Sequence, residues 1–217
     1  MDKDLVIKNT IDFVQETLKN AEWWHDWWHI FRVYNLSLTI WKSESADMFV
    51  VALWALLHDI ADAKFYNWDE SVWPKMAREF LENQKVWEEI IEHVENIIKN
   101  ISFKWWNFTQ NFKSLELDIV QDADRLDAIW AIWIARTFNY GWHKGRELYN
   151  PEIKPNLSMT KEEYKNANSP TINHFYEKLL LLKDRFNTKT WIKMALKRHK
   201  FMEVFLSEFF SEWNWEK

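Results

Sequence analysis

Three short stretches of the sequence hold side chains that together suit a divalent cation. "AEWWHDWWHIFRV" (21–33) carries His25 and His29, "LLHDIADAKF" (56–65) carries His58, Asp59 and Asp62, and "DADRLDAI" (122–129) carries Asp124 and Asp127. Two histidines four apart on a helix resemble the start of a metalloprotease zinc site. "HDWWH" nevertheless has Asp where that chemistry needs the longer Glu as general base, and no clear third ligand follows.

The elements that must carry these groups add to the argument. Val33, Leu36 and Ile40 follow His29 at helical spacing, so His29 points to the core side of its helix. An imidazole there must be hydrogen-bonded or metal-bound, and a satisfied core histidine meets the same need. "FVVALWALLHDIADAKF" (49–65) is apolar on nearly every face, which predicts a central, buried helix. Placing His58 and Asp59 at its C-terminal end costs several kcal/mol unless each is paired or binds a cation. In the third stretch Ile119, Ala123, Leu126 and Trp130 mark one face, with Asp124 and Asp127 beside it and Arg125 and Arg136 available to pair with them. Together His29, His58, Asp59 and Asp124 offer two imidazoles and two carboxylates from three helices. That set suits an octahedral first-row ion such as Mn²⁺, Fe²⁺, Co²⁺ or Ni²⁺, with positions open to water and substrate. Mg²⁺ prefers more oxygen ligands, and structural zinc prefers a closed tetrahedron.

The patterning is helical nearly throughout, without sustained period-two alternation, and the expected fold class is all-α. Helices are expected near 3–20, 26–42, 46–60, 74–83, 86–100, 114–138, 170–186 and 189–211. Ser169 and Pro170 read as N-cap and first helical residue, and Thr160 with Glu163 as a capping box. Residues 139–169 hold two of the four prolines and both glycines, and read as a long loop of the kind that forms lids. A chain of 217 residues is expected to form one domain, 1–217.

The net charge of −5 argues against coating a nucleic acid polymer or an anionic membrane. The absence of cysteine excludes disulfides and thiol chemistry. "MDKDLVIKNTIDF" lacks the apolar run of a signal peptide, and no apolar run reaches the roughly 20 residues of a membrane span. A cytoplasmic location is expected. The composition is unusual in its 17 tryptophans against 2 glycines. "YNWDE" has the shape of an Asn-Gly turn, and Trp130 and Trp133 sit where small residues would let helices approach closely. Many of these tryptophans are expected to stand at positions of glycine character, the alternative being a naturally tryptophan-rich chain. Overpacking near Trp54 and Trp130 should then cost about 1–3 kcal/mol each.

Further along, His143, Lys144 and Arg146 in "NYGWHKGRELYNP" form a cationic cluster suited to clamping a polyphosphate, or a solvated loop. His174 and Lys178, four apart in "INHFYEKLLLLKDRFNTKT", face one way on a helix and suit the same pocket. The run "KMALKRHK" (193–200) reads as a solvated helix face.

The H…HD…D series, with "HDWWHIFRV", "LLHDIADAKF" and "DADRLDAI", closely resembles the HD-domain superfamily of metal-dependent phosphohydrolases, in particular its single-domain bacterial and archaeal branch. The later stretches just quoted extend the resemblance over roughly 20–210. It implies a helical bundle in which His29, rather than His25, binds metal with His58, Asp59 and Asp124. It also implies a single ion, Mn²⁺ preferred and Mg²⁺, Fe²⁺, Co²⁺ or Ni²⁺ as alternatives, since only His93 lies between the HD pair and the last Asp. The reaction implied is cleavage of a phosphoester or phosphoanhydride of a small metabolite, a nucleotide foremost, by a metal-activated water. Asp62 would orient or deprotonate that water, the alternative being a simple capping or salt-bridging acid, and Lys64 would neutralise phosphate or lie on the surface. The alternative is an HD-type domain that binds nucleotide as a sensor without turnover. The family has glycine where this chain has Trp54, Trp130 and Trp133.

Overall fold

The structure is a computed structural model that describes residues 1–19, 26–42, 44–60, 69, 71–101, 112–160, 163 and 167–216. Among the described residues there is no strand, and the fold class is all-α as the sequence predicts. No described helix is long and apolar enough to cross a membrane. The chain resolves into two compact units, residues 1–123 and 124–217.

The first unit is built around a helix that the sequence marks as central. Helices α1 (Lys3–Thr17), α2 (Trp27–Trp41), α3 (Met48–Leu57), α4 (Val72–Asn83) and α5 (Glu88–Ile101), with α6 (Leu115–Asp127) up to Ala123, make up this part. Every residue of α3 from Phe49 to Leu57 is buried. Val14, Ile30, Val33, Ile40, Leu81, Val94, Ile97 and Val120 are buried in the same unit, each at the helical spacing its own sequence predicts. The starts of the helices are set by acidic caps. Asp2 Oδ1 accepts from the Asp4 and Leu5 N–H groups, Asp26 Oδ1 from His29 N–H (2.8 Å), and Asp47 Oδ1 from Phe49 N–H (2.8 Å). Arg78 of α4 ties that helix to α5 by bonding Glu88 (2.7 Å) and Glu95 (2.9 Å).

The second unit continues from the last turn of α6 through α7 (Ala131–His143), the short α8 (Asn173–Glu177), a 3-10 turn (Leu179–Arg185) and α9 (Lys189–Trp213). The predicted continuous helix over 114–138 is therefore two helices. The break falls at Trp130, whose φ of 122° and ψ of −171° lie in a region essentially reserved for glycine. The predicted helix over 170–186 starts later, at Asn173, and becomes a 3-10 turn after Lys178. Ser169 and Pro170 precede it as part of a turn, in which Asn173 N–H donates to Pro170 O (3.0 Å).

Three helices end on a left-handed residue in the pattern that returns an amide to the final turn. These residues are Lys85 after α4, Gly145 after α7 and Trp215 after α9, with Val86, Arg146 and Glu216 donating to Leu81 O, Gly141 O and Ser211 O. Gly145 is the type that conformation favours. Gly141 is fixed by space, because a Cβ there would meet Thr171 Oγ1 at 2.1 Å.

The run 193–200 is not wholly a solvated face. His199 is buried, and Arg198 donates to Leu126 O with its guanidinium 4.9 Å from the Trp130 ring. A guanidinium is favoured here because it satisfies a carbonyl and stacks on an aromatic face at once.

Candidate metal centre

His29 rises from the first turn of α2, where the Asp26 cap bonds its backbone N–H and fixes the start of the helix. Its side chain faces the core, with the residue 5% exposed. His58 is the C-cap of α3 and is 3% exposed. The end of that helix is held by Trp73, whose indole N–H donates to Leu57 O (2.6 Å) and so satisfies one of its last carbonyls. Asp124 is carried by α6, which runs unbroken from Leu115 to Asp127, so the backbone that places Ala123 also places Asp124.

One ligand atom from each of His29, His58 and Asp124 lies within 4.8 Å of the other two. His58 Nδ1 sits 2.8 Å from Ala55 O, and a carbonyl only accepts, so Nδ1 carries the proton. Nε2 of His58 is then the acceptor nitrogen, and it faces His29 Nε2 at 3.3 Å. A backbone carbonyl holding the far nitrogen is the usual support of a metal-binding histidine. Two buried imidazoles aimed at one point beside a carboxylate therefore fit a divalent cation on the chemistry of the donors.

Asp59 is half-buried beside His58 and lies outside the 4.8 Å group. His25, Asp62 and Lys64 fall outside the described residues. His93 faces Glu116, with Nε2 3.6 Å from Oε2, and lies edge-on to Phe112.

In the second unit the expected cationic cluster divides. His143 and Lys144 are exposed at the end of α7. Arg146 turns inward and donates from Nη2 to Ala167 O (2.9 Å). His174 has Lys178 and Arg146 as its charged neighbours. Burial foremost, and then those two positive charges, push its imidazole down to about 3. It is neutral at pH 7 and offers hydrogen bonding rather than charge. Lys178 is pushed down by burial, while the Asp124 carboxylate acts in the opposite sense. The Lys178 amine is thus within electrostatic reach of Asp124, one of the three clustered groups.

Two acidic residues not singled out from the sequence are deeply buried. Asp122 is 0% exposed. Its position, three after Ile119 and four before Leu126, places it on the apolar stripe of α6, and that placement was the available signal. Glu177, the last residue of α8, is 3% exposed and lies between buried Phe175 and Leu179. The change from α to 3-10 geometry at Lys178 hid its facing, because a regular helix would not put 175, 177 and 179 on one side.

Comparison with known proteins places the fold in a family. The HD domain family model matches residues 27–129. The chain is 34% identical over 206 residues to the uncharacterized protein YpgQ of Bacillus subtilis, covering 90% of this chain and 88% of that protein. A crystal structure of an HD-superfamily hydrolase from Bacillus thuringiensis superposes with a TM-score of 0.78 at 41% identity, over 98% of both chains. The crystal structure of B. subtilis YpgQ in complex with ADP superposes with a TM-score of 0.74 at 31% identity, over 98% of this chain and 97% of that one. The chain belongs to the HD-domain superfamily, and its structural relatives include HD-superfamily hydrolases.

Proposed function

We propose that this protein is a metal-dependent phosphohydrolase acting on a small phosphorylated metabolite of the nucleotide class. The observation that carries the reading is the His58 arrangement, with Nδ1–H on Ala55 O and Nε2 turned toward His29 within reach of Asp124. His29, His58, Asp59 and Asp124 would hold one divalent ion, with Mn²⁺ preferred. When bound, such an ion supplies Lewis acidity to a phosphoryl oxygen and a lowered pKa to a coordinated water.

The remaining chemistry falls to the chain. Lys178, close to Asp124, is suited to pair with a phosphoryl oxygen beside the metal ligands. Arg146 supplies a guanidinium for the outer phosphates, and neutral His174 supplies a directed hydrogen bond between the two cations. His143 and Lys144 are assigned to the exposed rim. We assign Asp62 to orienting or deprotonating the attacking water and Lys64 to phosphate neutralisation. The ADP complex of YpgQ supports a nucleotide as ligand. A nucleotide sensor without turnover is the second reading, favoured by the same complex because binding alone accounts for it.

The test is phosphate and pyrophosphate release from nucleoside mono-, di- and triphosphates with Mn²⁺, Mg²⁺, Co²⁺ or Ni²⁺. Metal-dependent turnover that falls about 100-fold or more in Asp124→Ala and Asp59→Ala is expected. Nucleotide binding with every metal but no turnover would select the sensor. No metal binding at all would overturn the assignment of His29, His58, Asp59 and Asp124 as ligands, and with it the phosphohydrolase reading.

A further inference from the structure

The loop between α7 and α8 is closed at its base by two backbone bonds, Thr171 N–H to Glu147 O (2.8 Å) and Ile172 N–H to Leu148 O (3.1 Å). Above that base three side chains hold it. Asn173, 1% exposed, donates from Nδ2 to Ile153 O (2.9 Å), and Arg146 donates to Ala167 O. Glu177 reaches both arms: its Oε1 accepts from Asn156 N–H (3.1 Å), and its carboxylate also accepts from the Ser169 hydroxyl. A neutral side chain would serve those two bonds, whereas burying a carboxylate is costly unless a charge answers it. Burial pushes the Glu177 carboxyl up, the bonds from Asn156 and Ser169 and then the Arg146 charge act against it, and Arg146 is itself bonded two residues from Ser169, at Ala167 O. Arg146 Nε is buried with no hydrogen-bond partner among the described residues, and the guanidinium lies 5.6 Å from the Tyr140 ring.

We propose that Glu177 is a positioning residue. It latches both arms of the loop and holds the Arg146 guanidinium where it meets the outer phosphates of the substrate. The phosphate part of this inference rests on the phosphohydrolase reading, and the latch part does not. Removing the latch should weaken phosphate recognition with little effect on the chemical step, because Glu177 touches neither the clustered ligands nor the reacting atoms.

The experiment combines amide hydrogen exchange, titration of the Mn²⁺-loaded protein with inorganic pyrophosphate, and steady-state kinetics on the nucleotide turned over fastest. In Glu177→Ala the Asn156 amide should exchange about tenfold faster or more, and the pyrophosphate Kd and the KM should each rise about tenfold, with kcat within about threefold. Glu177→Gln keeps an acceptor but loses the charge. It should keep Asn156 protected while Kd and KM rise about threefold. Ser169→Ala removes one arm alone and serves if Glu177→Ala does not fold. It should speed exchange of the loop and weaken pyrophosphate binding in the same direction. Unchanged exchange and unchanged Kd in the foldable variants would overturn the proposal, as would a fall in kcat at constant KM. A wild type that neither binds pyrophosphate nor turns over nucleotide, while Glu177→Ala still frees the loop, would overturn the phosphohydrolase reading and leave the latch standing.

Discussion

At the scale of single residues, the second unit holds an imidazole that cannot take a proton at ordinary acidity. His174 is depressed from 6.5 to about 3, while in the unfolded chain it titrates normally. Between these values the unfolded state binds the proton and the folded state does not. The stability tied to His174 is therefore fully present above about pH 6.5 and is lost progressively as pH falls toward 3. His174→Gln should flatten the dependence of the urea midpoint on pH below 6.5, and an unchanged slope would contradict the assignment. Trp54 provides a second residue-scale case. It is 0% exposed, and its indole N–H has no hydrogen-bond partner among the described residues. An unsatisfied buried donor costs about 1–3 kcal/mol, so Trp54→Phe, which keeps an aromatic ring and removes the N–H, should stabilise the protein by about 1 kcal/mol. Chemical denaturation reads the change directly.

At the scale of elements, the sequence reveals more about where helices run than where they stop. The buried α3 was legible because all its faces are apolar, and its His-Asp terminus was legible because charge at such an end needs a reason. The capping box at Thr160 and Glu163 is formed in both directions, at 2.7 and 3.2 Å. The break between α6 and α7 was not legible. Its backbone requires glycine, and the residue there is Trp130. The expectation that tryptophan occupies glycine-like positions is met at Trp130 and again at Trp215, both at positive φ. Trp130 is held from α9 by Arg198 at 4.9 Å and Lys197 at 6.0 Å, which offsets part of the strain. Such a backbone costs about 1–3 kcal/mol, and an exposed cation–π contact returns about 0.5–1. Trp130→Gly should therefore gain about 1 kcal/mol, while Trp130→Ala, which keeps the Cβ and loses the ring, should lose stability. A gain in both variants would place the strain in the indole rather than in the backbone.

At the scale of the whole molecule, the sites on α2, α3 and α6 belong to segments far apart in the chain. The unfolded chain has no preformed equivalent of His29, His58 and Asp124. A divalent ion should then raise stability with the logarithm of its concentration above Kd, by about 2.7 kcal/mol at a hundred times its Kd. Thermal unfolding with and without Mn²⁺ measures this, and Asp124→Ala should abolish the difference without needing any substrate. The grouping of His29, His58 and Asp124 was legible as far as residue type and helix placement allow. The inward turn of Arg146 and the latch at Glu177 were not, because both depend on how a long irregular segment folds back, and no periodicity encodes that.

The two backbone bonds at the base of that segment, Thr171 to Glu147 and Ile172 to Leu148, bring its ends side by side. Chain inserted or removed between them leaves the anchoring pair in place, and the entropy of closure grows only with the logarithm of length. As far as closure entropy goes, the stretch between these bonds is a cassette whose length can change at small cost to the anchor on either side of it.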